Sequence, residues 1–169
     1  MTNLIIFEGC DNCGKTTIAT ALAKEIGYNY FKRKKEMLYI KKTNPVIIEE
    51  AHKENLAFFY EYCRQVDANV IVDRSFPSEY VYGSLFRQVD EKMLLDYDLR
   101  FSRLNTKIII LTKSDEFLED ELFSNEQLIQ IKKKYVEYSE KTACDSLVLN
   151  TDDCDLSSQL KIIKNFLCM

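Results

Sequence analysis

The sequence predicts an α/β domain in which parallel strands alternate with helices packed on both faces of one sheet. Three observations carry that prediction. Short apolar runs rich in Ile, Val and Leu recur along the chain. Apolar residues at helical spacing fill the intervals between them. No internal repeat, low-complexity tract or linker interrupts the alternation, so residues 1–169 read as a single domain with a sizeable core.

The runs at residues 3–8, 69–73, 107–112 and 146–150 are each bounded by polar residues and read as strands buried on both faces. A further strand is expected near 28–31. After the first run, Ile18, Leu22 and Ile26 recur every four residues, and Gly27 stands where a helix stops. Leu128, Ile131, Tyr135 and Tyr138 form a second stripe. Leu156, Leu160, Ile163 and Leu167 form a third, led by Asp155 as a cap. These stripes read as core faces and not as cofactor boxes. Ligands of a doubly wound sheet bind outside the carboxyl ends of its strands, which selects the segments after residues 8 and 73.

A net charge of −4 argues against a broad electrostatic footprint for nucleic acid, despite the local cluster Lys32-Arg33-Lys34-Lys35. A small-molecule nucleotide is the better expectation. Nothing approaches the roughly eighteen consecutive apolar residues of a membrane span, and no leader pattern opens the chain. A cytoplasmic protein, of the cell or of a host cell, is expected without membrane association. The six scattered cysteines read as reduced thiols. Cys10 and Cys13 form a C-x-x-C pair, but no second pair completes a zinc site; a weaker idea is that oxidation bridges them and distorts the loop they share. His52, the one histidine, lies in a polar helical stretch and receives no role, and Lys132-Lys133-Lys134 reads as a solvated helix face.

The segment after the first strand carries the chemistry. Gly9, Gly14, Lys15 and Thr16 complete the pattern of a phosphate loop between a strand and a helix. Such a loop aims successive backbone N–H groups at a polyphosphate, and glycine permits the dihedrals and the close approach. Two of the chain's four glycines stand here. Lys15 would reach the β- and γ-phosphates, and Thr16 would offer its hydroxyl to Mg²⁺. The helix that follows points its positive end at the anion. Residues Gly9, Cys10, Asp11, Asn12, Cys13, Gly14, Lys15, Thr16 and Thr17 are therefore the expected ATP-binding loop.

A second constellation ends the run Val70-Ile71-Val72, where Asp73 and Arg74 stand side by side. Beside the phosphate loop, Asp73 could hold Mg²⁺ or orient an attacking oxygen, and Arg74 could bind phosphate bidentately. A strand-end ion pair or a helix cap is the structural alternative.

These residues resemble the thymidylate kinase branch of the nucleoside and nucleotide kinases. Residues Phe7 to Thr17 resemble its phosphate loop, the acid at Asp11 included, and Asp73-Arg74 followed by Ser78 and Tyr82 resembles its Asp-Arg motif. The resemblance implies a P-loop kinase fold with a five-stranded parallel sheet. It implies transfer of the γ-phosphoryl group of ATP, with Mg²⁺, to a deoxynucleoside monophosphate such as dTMP or a related pyrimidine nucleotide. It makes Lys15, Asp73, Arg74 and Asp11 the catalytic set and Thr16 and Asp73 the metal ligands. Arg74 would hold the acceptor phosphate, Asp11 would face the acceptor, and Ser78 and Tyr82 would line its pocket. The adenine site falls at residues 150–153 by the same analogy. A homodimer is one assembly considered, and the short chain suggests a trimmed, viral relative.

The chain also departs from that pattern. Relatives place a catalytic arginine in the loop or in the lid after the fourth strand; here Asn12 occupies the loop position and residues 113–124 hold no arginine. Lys113 and Arg87 lead the local substitutes, Arg87 also as a substrate-binding residue, ahead of Arg100 and Arg103. Phe58-Phe59-Tyr60 with Arg64, and Tyr30-Phe31-Lys32-Arg33, are acceptor patches of lower rank, with core packing the expected role of Phe58 and Phe59. Three other functions stay open. Asp73-Arg74-Ser75 also resembles the motif of deoxynucleoside kinases, which phosphorylate a 5′-hydroxyl and need a base such as Glu36, Glu49 or Glu50. Thr112-Lys113-Ser114-Asp115 imitates the guanine-reading motif of a GTPase switch, without its Asp-x-x-Gly companion. The arginine-poor lid would also suit a catalytically silent nucleotide binder.

Overall fold

The computed structural model describes residues 3–32, 45–65, 69–87, 89–117 and 122–169, the side chains of 45–53 excepted. Arg33, Lys34, Lys35 and Glu36 lie outside the described residues, and so do the side chains of Glu49, Glu50 and His52.

Strand β1 (Asn3–Gly9) leads through the loop into α1 (Lys15–Ile26), β2 (Asn29–Lys32), α2 (Pro45–Gln65) and β3 (Asn69–Asp73). Two helices follow, α3 (Phe76–Phe86) and α4 (Glu91–Ser102), before β4 (Thr106–Thr112). A 3₁₀ turn at Asp115–Phe117, α5 (Asn125–Lys141), β5 (Asp145–Asn150) and α6 (Leu156–Phe166) complete the chain. Five parallel strands in the order β2-β3-β1-β4-β5 form one sheet, as the sequence led us to expect.

Parallel neighbours need crossovers, and right-handed crossovers fix the layers. The chain steps one way along the sheet from β1 to β2 and the other way from β2 to β3, β3 to β4 and β4 to β5. That places α1 on one face and the remaining crossover helices on the other. Accordingly α1 packs with α6, while α3 packs with α4 and α5. The order reverses between β1 and β3, whose carboxyl ends open the crevice of a doubly wound sheet.

The three central strands are buried almost throughout, which is why they read as continuous apolar runs. Gly27 ends α1 in the left-handed conformation, and Asp155 caps α6 by accepting from Ser158 N at 2.9 Å. Helix α4 was not anticipated. Its Phe101 joins the core and stacks on Phe76 with ring centroids 4.6 Å apart. Its Asp98 is buried, accepting from Thr142 Oγ1 and Ala143 N at 2.6 Å each and from the Tyr138 hydroxyl. The carboxylate thereby staples α4 to the loop between α5 and β5.

One expectation about packing fails. Phe59 packs against Phe101, but Phe58 is 74% exposed, because adjacent residues of a helix project about 100° apart and so do not share a face.

Candidate active site

The phosphate loop turns at once out of β1. Gly9 has φ 127°, and a Cβ there would lie 2.0 Å from the carbonyl oxygen of Leu111 in β4, so only glycine lets the strands pair and the loop leave between them. Gly14, at φ 75°, then starts α1, its carbonyl accepting from Ile18 N at 3.0 Å. Lys15 is buried and folds back to donate to the Cys10 carbonyl, with the Asp11 carboxylate 3.8 Å away. Burial, assisted by the charge of Arg74, lowers its ammonium from 10.5 to about 8.

Two clusters meet at this crevice. In the first, Thr16 Oγ1 donates to Asp73 Oδ2 at 2.7 Å, and the Tyr30 hydroxyl donates to the same oxygen at 3.0 Å. Hydroxyl and carboxylate are hard oxygen ligands of the kind Mg²⁺ takes alongside phosphate oxygens. The Lys32 ammonium stands 3.0 Å from Thr16 Oγ1 and 4.0 Å from Asp73 Oδ2, so the pair already attracts a cation. The donors present fit the metal. Among the described residues no group of three His, Cys, Asp or Glu side chains could hold a metal by protein ligands alone.

The second cluster surrounds Arg74. Its backbone adopts φ 71°, an uncommon state for a residue with a side chain. Its guanidinium pairs with Asp11 and donates to Ser78 Oγ and the Tyr135 hydroxyl at 3.3 Å and to the Tyr82 hydroxyl at 3.5 Å. Burial would loosen its proton, but Tyr135, Tyr82, Asp11 and Glu8 outweigh burial and hold it charged. Beneath it lies Glu8, fully buried, accepting from Ser75 N at 2.6 Å, Ser78 Oγ at 2.5 Å and the Tyr135 hydroxyl at 3.1 Å. Burial pushes the Glu8 carboxyl above the usual range, against the pull of Arg74 and these hydrogen bonds.

The structure thus brings together Asp11, Lys15, Thr16, Asp73, Arg74, Ser78 and Tyr82. Arg87 instead folds back along α3 and donates to the buried Glu79 at 2.6 Å. The charge of Lys113 acts on the Cys13 thiol in the loop. Arg100 and Arg103 end α4, on the sheet edge where β4 begins, away from the strands' carboxyl ends. Arg64 pairs with Glu61 at 2.8 Å, and Asp115 of the imitated guanine motif pairs with Lys132 at 2.8 Å. The loop thiols are both buried; Cys10 donates to the Leu128 carbonyl at 3.9 Å, and the interaction between the two thiols raises Cys10 and lowers Cys13.

Two residues were misread or passed over. Tyr135 lies on the stripe read as core, and its ring is indeed buried, yet its hydroxyl reaches Arg74, Ser78 and Glu8. Glu8 appeared only as part of the loop motif. An acid ending an otherwise apolar strand was the available signal.

No protein-family model matches the chain. The chain is 30% identical over 162 residues to a protein of Sulfurisphaera tokodaii described as a probable thymidylate kinase, across 83% of this chain and 84% of that one. Among solved structures it resembles the YorR protein of Bacillus subtilis in complex with phosphorylated GDP, at TM-score 0.72 and 21% identity over 98% of this chain and 95% of that one. It resembles thymidylate kinase from Ehrlichia chaffeensis at TM-score 0.71 and 14% identity over 99% of each chain. It resembles deoxyadenosine kinase from M. mycoides at TM-score 0.65 and 21% identity over 97% of each. The structures speak for the fold and the sequence relative for the lineage: the chain belongs to the thymidylate kinase family of P-loop nucleotide kinases.

Proposed function

We propose that the chain transfers the γ-phosphoryl group of MgATP to a deoxynucleoside monophosphate, dTMP or a related pyrimidine nucleotide. The observation that carries this reading is the Arg74 cluster. A guanidinium pinned to Asp11 and propped by Ser78, Tyr82 and Tyr135 faces the phosphate loop, where a second anion would meet it. Phosphoryl transfer asks the protein chiefly for positioning and charge. Lys15 and the loop N–H groups would hold the donor, Thr16 and Asp73 the metal, and Arg74 the acceptor phosphate. Mg²⁺, when bound, would neutralise charge between the β- and γ-phosphates. Arg74 stays protonated throughout, and Asp11 keeps its guanidinium aimed before the acceptor arrives. Ser78 and Tyr82 would line the acceptor pocket, with Arg87 at its margin.

A 5′-hydroxyl acceptor would instead need a carboxylate base. Among the described side chains, Asp73 is engaged by Thr16 and Tyr30 and Glu8 is enclosed by donors, while Glu36, Glu49 and Glu50 lie outside them. A coupled assay with ATP against a panel of deoxynucleosides and monophosphates tests the choice. Turnover with monophosphates is expected; turnover with nucleosides alone would overturn it. Lys15→Ala should abolish transfer, and full activity in that variant would sink the assignment.

A further inference from the structure

We propose that Lys32 is the cation that stabilises the phosphoryl group in transit, supplying the charge that neither the loop nor the lid of this chain supplies with an arginine. The inference rests on the kinase reading above.

Lys32 ends β2 opposite Asp73 in the register. Alternation along a strand puts Tyr30 and Lys32 on one face. Both converge on the same two groups: Tyr30 donates to Asp73 at 3.0 Å, and the Lys32 ammonium donates to Thr16 Oγ1 at 3.0 Å. That hydroxyl follows the lysine that would grip the β- and γ-phosphates, so an ammonium on it stands beside the oxygens that gain charge during transfer. Three further cations near the crevice are engaged elsewhere, and Lys113 follows the end of β4, where its charge acts on Cys13, on the other side of β1 from Lys32. Arg74 is held by Asp11, and Lys15 by the Cys10 carbonyl. Arg87 donates to Glu79. Asn12 holds the place of a loop arginine, and residues 113–124 contain none.

Lys32 is also able to move. Its side chain is 54% exposed and, among the described residues, is held at its tip by Thr16 and Asp73. Were Mg²⁺ held by Thr16 and Asp73, like-charge repulsion would move the ammonium off that pair toward the anionic phosphates of a bound nucleotide. The lysine keeps its proton. The acceptor oxygen bonds to the γ-phosphorus as the bond to the departing ADP oxygen breaks, and the ammonium meets the charge on the oxygens between.

The test compares Lys32→Met and Lys32→Arg with the parent on an acceptor active in the panel. Exposed ion pairs add little to stability, so both variants should fold, as circular dichroism and melting will show. Lys32→Met should lower kcat by about 10²–10³-fold, scaled down from an arginine finger, with the KM for ATP within about threefold. Lys32→Arg should restore kcat to within about tenfold. Calorimetry supplies a readout independent of turnover. Affinity for MgADP with aluminium fluoride and acceptor, which mimics the group in transit, should fall in Lys32→Met by a similar factor, whereas affinity for MgADP alone should not change. Unaltered kcat and aluminium fluoride affinity with an active parent would overturn the proposal and leave the kinase reading intact. An equal loss of MgADP affinity would also overturn it, by assigning Lys32 to ground-state binding. A parent that phosphorylates no member of the panel would overturn both.

Discussion

Arg74 is held in a conformation that a side chain disfavours, and the cost can be measured apart from the function. At φ 71° it lies in the left-handed region. That region costs a residue bearing a Cβ about 1–2 kcal/mol relative to glycine. Glycine returns about 0.5–1 kcal/mol of this through the greater entropy of the unfolded chain. The balance favours glycine by about 0.5–1 kcal/mol. At about 2–4 °C per kcal/mol for a chain of this size, that is a rise in Tm of about 1–4 °C. Comparing Arg74→Gly with Arg74→Ala isolates the backbone, because both lose the same contacts to Asp11, Ser78, Tyr82 and Tyr135. Calorimetry should find Arg74→Gly the more stable of the two. Both should lose about 10²-fold or more in kcat/KM for the acceptor, the order expected for a bidentate phosphate contact. An alanine variant melting at or above the glycine variant would show that the backbone stores no strain. A glycine variant with full turnover would show that the guanidinium is not what the strained position serves.

Lys15 gives a pH signature: a lysine lowered from 10.5 to about 8 costs about 3 kcal/mol when charged, a cost fully present below about pH 8 and absent above 10.5. Lys15→Met should therefore be more stable than the nucleotide-free parent by up to about 3 kcal/mol at pH 7 and by progressively less toward pH 10.5, as urea unfolding will report; an invariant difference would refute the burial argument. Asp98→Ala leaves Tyr138, Thr142 and Ala143 without their acceptor, at a cost of about 3 kcal/mol or about 6–12 °C in Tm, with kcat of the folded enzyme unchanged. For the loop thiols, diamide should join Cys10 and Cys13 with loss of two hydrogens by mass spectrometry, more slowly when ATP fills the loop, and should abolish nucleotide binding; binding that survives full bridging would refute it.

The parts of the fold that were legible are those where one period or one steric demand dominates. The central strands bury both faces, so their apolar runs are unbroken, and Gly9 is dictated by a single backbone contact with Leu111. Helix α4 was missed because its apolar residues share the segment with charges at Asp96, Asp98 and Arg100, one of which is itself buried. Of the site, the loop and Asp73-Arg74 could be read because each is contiguous in sequence. Tyr135 could not, since it reaches Arg74 from 61 residues away and its hydroxyl is invisible in a hydrophobic pattern. Lys32 lay within a patch that read equally as a solvated basic turn, and only the pairing of β2 with β3 sets it against Asp73.

Several unfavourable features of the described residues gather at the crevice. Arg74 holds a strained backbone; Lys15 is lowered by burial, and Glu8 is raised by it. Burial penalises the charged form of the Glu8 carboxyl, as it penalises the charged form of Lys15. Away from the crevice, Asp155 caps α6, Ser124 and Gln127 form a capping box on α5, and Asp98 is fully employed. A triphosphate in the loop would reverse one of the costs by raising Lys15, and an acceptor phosphate would give Arg74 the partner its geometry anticipates. Glu8 differs, because no ligand reaches it. Its return is preorganisation: by fixing Ser75, Ser78 and Tyr135 it fixes the floor on which Arg74 rests, so that binding does not have to order it.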